Sequence, residues 1–554
     1  MGMSVATFGA TSNLIVYLIE EYNIKSIDAA QIFNIINGCI NLAPIVGAVI
    51  SDSFFGCFAV VAASSVLSFL VLPSSNLHLF SQICSSTTFR QPQGTALFTS
   101  TATAGALRPP PCQPASSAAC REPSAGQNAL LYMAVTLLCM GAGGTGFNMA
   151  TMGANQFDRP ADQGTFFNWY FFVMNVGAII GSTVVVYVQD NVSWGWGFGA
   201  CAATSAAGVT ALLLGARYYR SAVPEMSPLL GLARVLVAAG RKWRTPAMAE
   251  STEYYYGGSG EGKPKLQSPT PSFRFLNRAA TKREGEVNPD GSVAKPWSLC
   301  SVDQVEDLKA VLRILPLWST SILLSTSIGV LLSLTVLQAL SLDRHLGPRF
   351  SLPAGSLVVS SLSATAVCIV LLDRCFYPAW LKLLGRPLTP LQRVGIGHVI
   401  NAAAMATAAL VERRCVAVAQ SLDLVHRPGA ILPITVLWLL PPLLVVGMGD
   451  AFHFPGQVAL YYQEFPESLR SSATGMMGLV IAVGFYLSTA VVDLVRRATD
   501  WLPDNINAAR LDRFYWTLAA IGVINLGYFI LCARRYKYRD SVVSSTAPAA
   551  NADE

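Results

Sequence analysis

Charge is the scarcest commodity in this chain. Only 13% of its 554 residues are Asp, Glu, Lys or Arg, against about 25% in soluble domains. That shortage, with 52% hydrophobic residues and a mean hydropathy of +0.45, excludes an ordinary soluble globular protein. The twelve cysteines contain no C-x-x-C pair, so neither a redox dithiol nor a zinc knuckle is expected. Cys39, Cys139, Cys201 and Cys368 lie inside apolar runs and read as small core residues. Cys84, Cys112 and Cys120 share one loop, where their pairing stays open. The five histidines, His78, His345, His398, His426 and His453, are scattered. No metal-ligand cluster and no nucleophile–His arrangement emerges, so no cofactor and no enzyme activity are expected. The N-terminus has neither a basic n-region nor an A-x-A site, so no cleavable signal is expected.

Long apolar runs are what the chain has instead. Windows able to cross about 30 Å of hydrocarbon fall near 3–19, 31–51, 58–83, 128–152, 166–188, 194–216, 308–338, 354–374, 391–411, 431–453, 471–495 and 513–533. These are spans 1 to 12, in two groups of six. Between the groups lies a polar stretch, residues 217–303, with thirteen Lys/Arg against eight Asp/Glu. Its composition suggests partial disorder, and its basic bias puts it in the cytoplasm. Arg374, Lys382 and Arg386 after span 8, and Arg534, Arg535, Lys537 and Arg539 after span 12, agree with that orientation. Glu412, Arg413 and Arg414 dissent, because they end span 9 on the outer side. The net charge of +6 lies largely in the central stretch, so it speaks to topology and not to nucleic acid. The expected divisions are a six-helix bundle over 1–216, a basic linker over 217–306, a second bundle over 307–535, and a tail over 536–554. The fold class is therefore an all-α membrane protein with twelve transmembrane helices in two six-helix bundles.

Several polar groups interrupt the apolar windows. Asp450 and His453 close span 10, and an Asp at membrane depth costs roughly 2.5–3.5 kcal/mol on insertion scales. Such a group faces a wet path or a partner; the alternative is an Asp that snorkels to the interface. Gly47-x4-Asp52-x3-Gly56 sits at the short turn between spans 2 and 3. There, glycines allow a tight turn and an Asp can accept from a neighbouring helix end, which suits a gate. The alternative is a solvated turn Asp. Asn34, Asn37 and Asn41 fall at i, i+3 and i+7 of span 2, on one face. They are candidates for the wall of a solute path, or for interhelical glue. Span 4 carries Gly141, Gly143, Gly144 and Gly146 and then Asn148, which suits close packing. No Lys-Ser/Thr follows, so it is not a phosphate loop. Asn168, Trp169, Tyr170 and Asn175 in span 5, and Trp318 to Ser321 in span 7, are further path candidates. Ser268, Thr270 and Ser272 in the linker are possible targets of phosphorylation.

Longer stretches carry a family resemblance. FFNWYFFVMNVGAIIGSTVVVYVQDNVSWGWGFG (166–199), GANQFD (153–158), LKAVLRILPLWS (308–319), LQALSLDRHLG (337–347), PAGSL (353–357) and LQRVGIGHVI (391–400) resemble the proton-coupled oligopeptide and plant nitrate transporter family. That family is a branch of the major facilitators. NLIVYLIEEYNIKSIDAAQIFNIINGCIN (13–41), DSFFGCF (52–58) and DAFHFPGQVALYYQEFPESLRSSATGMM (450–477) look most like its plant nitrate-excretion subgroup. The resemblance implies the major-facilitator fold, with a solute site between the two halves that is exposed to each side in turn. It also exposes departures. The family's Glu-x-x-Glu-Arg motif is absent from span 1, which opens MGMSVATFGATSNL without charge. The family's span 4 cation falls at Gly146, its Arg after the span 2–3 glycine falls at Cys57, and its span 10 Glu is shortened to Asp450.

The function expected on these grounds is low-affinity transport of a small inorganic anion, nitrate or chloride, running mainly outward. The partners expected are that anion, protons through Asp450 and His453, and the lipid bilayer, with the plasma membrane ahead of the vacuolar membrane. Two alternatives stay open: a proton-coupled carrier of peptides or organic solutes, and a non-transporting membrane scaffold or sensor.

Overall fold

The computed structural model describes residues 1–69, 101–110, 122–154, 156–157, 166, 170, 173–219, 228–243, 254–256, 269–283, 285–289, 291–348, 350–427, 429–464 and 473–536. Cys84, Cys112, Cys120, Asn168 and Trp169 lie outside them.

Among the described residues, each of the twelve apolar windows falls largely on helix. The first is a broken pair, α1 (Gly2–Thr11) and α2 (Leu14–Glu20), bent by 43°. Then come α3 (Ser26–Ile50), α4 (Cys57–Phe69), α5 (Ala125–Ala154), α6 (Val173–Asn191) and α7 (Trp194–Leu214). The linker contributes α8 (Pro228–Arg241). The second half has α9 (Val302–Ser341), α10 (Ala354–Leu384), α11 (Pro390–Ser421), α12 (Leu440–Glu464), α13 (Ala473–Ala498) and α14 (Leu511–Arg535). Among the described residues ten helices are long and apolar enough to cross a membrane, eleven with the bent pair. The remaining window is represented by the thirteen residues of α4. Helix is forced here, because only intrasegment hydrogen bonds satisfy a backbone in hydrocarbon. The chain is an all-α membrane protein.

Small residues set how closely the first bundle packs. A Cβ on Gly47 would meet the Gly143 carbonyl oxygen at 2.1 Å. One on Gly144 would meet Ser64 Oγ at 1.6 Å, and one on Gly143 would meet Ala43 Cβ at 3.0 Å. So α3, α4 and α5 touch through backbone, as the glycine spacing of span 4 predicts. Gly56 (φ 75°) ends the turn between α3 and α4 in a conformation that only glycine adopts freely.

The halves meet toward the end that carries the α2–α3 and α13–α14 connections, called outer here from the charge bias. Arg496 of α13 pairs with Asp28 of α3 and with Asp504, and Lys25 pairs with Asp504 at 3.0 Å. Arg344 reaches Asp190 at 3.6 Å, and Asn13 donates to the same carboxylate at 2.7 Å. Asn34 Nδ2 donates to Ser333 Oγ at 3.2 Å. Deeper in, Tyr486 OH lies 3.1 Å from Cys39 Sγ. A Cβ on Gly355 would meet the Ser12 carbonyl oxygen at 2.5 Å, so the break between α1 and α2 rests on the start of α10.

Helix α9 has forty residues. At about 1.5 Å per residue it is roughly twice as long as the hydrocarbon is thick, so its first turns stand clear of the membrane. A reciprocal cap starts it: Ser301 Oγ accepts from the Gln304 N–H and Gln304 Oε1 from the Ser301 N–H. The helix that opens the second bundle therefore begins at Val302. The linker packs on this projection. Val235, Ala238, Leu276, Ala279 and Cys300 are buried with Val302, Val305 and Leu308. Lys242, 1% exposed, donates to Glu286 at 2.7 Å and to the Thr281 carbonyl at 2.6 Å. Burial pulls its ammonium below the ordinary lysine range, against the pull of Glu286. The described stretches of the linker are thus a small packed unit, where composition alone suggests partial disorder. The apolar side chains responsible are spaced along α8 and α9 and are diluted in the composition by the polar residues between them.

Candidate functional site

Helices α11 and α12 cross at two glycines. A Cβ on Gly397 would meet His453 Cβ at 2.7 Å, and one on Gly449 would meet Asn401 Nδ2 at 2.5 Å. This approach puts His398 and Asn401 of α11 in one layer with Asp450 and His453 of α12. Asn401 Nδ2 donates to the Gly397 carbonyl at 3.2 Å and reaches Asp450 Oδ1 at 3.5 Å. The imidazoles of His398 and His453 meet edge to face, 5.2 Å between centroids, and His398 also lies 4.9 Å from the Phe529 ring. Both histidines are buried. Among the described residues no cation comes within ion-pair distance of Asp450.

A small cavity opens beside this layer, lined by Leu324, Ser327, His398, Asn401, Met405 and Asn525 among others, from α9, α11 and α14. Three buried acceptor or ring atoms border it without a protein partner: His398 Nε2, Asn401 Oδ1 and Asn525 Oδ1. Buried polar atoms of this kind are satisfied by water or by a small polar guest. The layer can thus hold a proton on a carboxylate or an imidazole and present amide and imidazole groups to a small polar species. It lies inside the second bundle, between α9, α11, α12 and α14.

The other sequence candidates divide. Asn34 joins the halves. Asn37 and Asn41 turn one amide hydrogen back to the carbonyls of Phe33 and Asn37, both at 2.9 Å, and Asn148 does the same to Gly144 at 3.1 Å. Each keeps one hydrogen for another partner. Asn175 is exposed on α6. Trp318 does not stand in an open path: it packs with Ile314, Tyr461, Met476 and Val480, its ring 6.2 Å from that of Tyr461. Gly47 is the contact point of α3 with α5, and Gly56 ends the turn; the side chain of Asp52 lies outside the described residues. Gly146, where the resemblance implies a cation, would set a Cβ 3.0 Å from Pro44 of α3. A long basic side chain would have to displace that proline.

Asn401 and Glu412 are missing from the sequence-level site. His398 and Asn401 stand at i and i+3 on one helix face, and that spacing is the signal that pairs them. Glu412 dissents from the charge bias because it is not an interface residue. It is 5% exposed, Gln338 Nε2 donates to it, and Tyr515 OH donates to Gln338 Oε1 at 3.1 Å. Its neighbour Arg414 instead lies over the Trp438 ring, at 4.5 Å.

Comparison with known proteins agrees with this architecture. The model of the POT family matches residues 82–508. Protein NRT1/PTR FAMILY 2.7 of Arabidopsis thaliana is 47% identical over 551 residues, covering 100% of this chain and 93% of that protein. Protein NRT1/PTR FAMILY 2.6 of the same plant is 46% identical, over 97% of this chain and 91% of that one. The crystal structure of an auto-inhibited POT family peptide transporter superposes with a TM-score of 0.66 at 16% identity, covering 97% of this chain and 95% of that one. A sulfate complex of a POT peptide transporter gives 0.60 at 13% identity, with 96% and 93% covered. At that identity the structures speak for the fold alone, whereas near-half identity over the whole length speaks for descent: the chain belongs to the POT family, and is a multi-pass membrane transporter of its plant NRT1/PTR branch.

Proposed function

We propose that this transporter is an alternating-access facilitator of a small inorganic anion, nitrate first and chloride second, working mainly as an exporter at the plasma membrane. The observation that carries the reading is an asymmetry of ionisable groups. In α1 to α7 the only charged side chains are Glu20, Asp28 and Asp190, all toward the outer end. The position where a cation is expected is instead glycine against proline. Among the described residues, the acids and histidines at membrane depth, Asp450, His398, His453 and Glu412, all lie in the second half.

The direction follows from the membrane potential. Moving one negative charge inward against about 100 mV costs ~2.3 kcal/mol. That is a roughly fifty-fold bias outward, at 1.4 kcal/mol per tenfold. Import against it would take two or more protons per anion, and among the described residues the helices of the first half carry acids only toward their outer end. A facilitator needs none. The two-half architecture, closed at its outer end, supports alternating access.

A second reading, a proton-coupled carrier of peptides or organic solutes, is favoured by the buried Asp450–His453 layer. Voltage-clamped oocytes loaded with nitrate, at external pH 5.5 and 7.5, separate the two. Outward flux that follows voltage and ignores the proton gradient fits the facilitator. Inward accumulation driven by protons, or competition by dipeptides, overturns it.

A further inference from the structure

We propose that Thr270 is a phosphorylation site, and that its phosphate releases the linker from the projecting end of α9. The hydroxyl lies in a built constellation. Glu306 of α9 holds Thr270 by both backbone and side chain: the N–H donates to Oε1 at 2.9 Å, and Oγ1 donates to Oε2 at 2.8 Å. Lys309, fully buried, donates to Glu306 at 2.7 Å and to the Thr270 carbonyl at 2.9 Å, and stands 3.3 Å from its Oγ1. Arg313 Nη2 donates to Ser272 Oγ at 2.8 Å and lies 3.4 Å from Thr270 Oγ1. The two hydroxyls are 3.0 Å apart. Thr270 is thus the latch between the linker and successive turns of α9, and its hydroxyl donates to the Glu306 carboxylate.

The latch is fitted to a hydroxyl and not to a phosphate. Phosphorylation replaces the donated proton with a group of about −1.5 to −2 charge and three acceptor oxygens. The Glu306 carboxylate, now 2.8 Å away, then faces like charge and has lost its donor. Contacts to Lys309, Ser272 and Arg313 close the space around Oγ1, so the added group fits only when the segment moves off. The sequence supplies the address. Thr270 precedes Pro271, the dipeptide read by proline-directed kinases, and proline keeps the segment out of helix. The step is a phosphoryl transfer from a nucleoside triphosphate. The Oγ1–P bond forms, the bond from the terminal phosphorus to the bridging oxygen breaks, the diphosphate leaves, and the hydroxyl proton passes to the kinase's base. Since Oγ1 is occupied in the docked state, the kinase acts on the released segment and the phosphate traps it there. Ser272 is the internal contrast, because its hydroxyl meets Arg313 and Thr270 and no carboxylate among the described residues, so a phosphate there would strengthen docking.

The test uses the full chain in lipid nanodiscs, treated with a proline-directed kinase and ATP, with the site and stoichiometry read by mass spectrometry. Hydrogen exchange of 273–283 and 302–309 is then compared with the untreated protein. Modification at Thr270 with exchange at least tenfold faster in both segments is the result expected. Thr270→Ala should stay unmodified there and show no change in exchange on treatment, and Glu306→Gln should lose most of the response, since the phosphate then meets only cations. Full modification at Thr270 with unchanged exchange overturns the proposal, as does a chain modified only elsewhere. The readout is independent of the transported solute, so failure of the anion reading leaves it standing.

Discussion

At the residue scale, Asp450 and Glu412 are two buried acids with different surroundings. Asp450 has one amide at 3.5 Å, in a layer beside a cavity. Glu412 is tied into Gln338 and, through it, Tyr515. Asp450→Asn should therefore leave a facilitator's maximal flux within about twofold while flattening any difference between pH 5.5 and 7.5, since the amide cannot exchange the proton. Loss of all flux at both values would show the carboxylate to be essential. Glu412→Ala strands the Gln338 amide in a buried site, a loss of about 1–3 kcal/mol. Glu412→Gln keeps an acceptor and should lose less. Thermal unfolding in detergent ranks the three proteins, and equal midpoints would refute the structural role of Glu412. Asp450 was legible in sequence as an acid in an apolar run. Its partner was not, because Asn401 comes from a different helix and reaches it through a crossing at Gly397 and Gly449.

At the scale of elements, glycine decides where the helices of the first bundle touch. Gly47 belongs to a motif read as a gate. Its surroundings are the backbone of α5, 2.1 Å from where a Cβ would stand. Gly47→Val should force α3 and α5 apart and cost about 1–3 kcal/mol, as overpacking does. A lower unfolding temperature and lower surface expression are expected, and a neutral result would show that the contact is loose. The linker teaches the opposite lesson. Its average composition hides α8, whose Val235, Ala238 and Ala239 share one buried face against α9. Spacing, and not composition, carried that information.

For the whole molecule, the outer closure rests on few groups. Arg496 is shared between Asp28 and Asp504, and exposed pairs of this kind are worth about 0–1 kcal/mol each. Arg496→Ala should raise the outward-open population by up to about tenfold. Faster reaction of a cysteine placed at Ser333 with an impermeant thiol reagent applied from outside would report it. An unchanged rate would put the closure in the α3–α13 packing, at Gly38 against Tyr486.

The sequence by itself determined the class of molecule. Twelve apolar windows can only be helices in a bilayer, and their grouping around a basic stretch points to two halves. That follows from hydrogen bonding and hydration, which act locally and leave a linear trace. The tertiary structure decided which polar groups meet. Asn34 found Ser333, Glu412 found Gln338, and Thr270 found Glu306 across separations of 299, 74 and 36 residues. Such pairings are set by where helix axes cross, and the crossings depend on the shape of packed side chains, which no periodicity along the chain records.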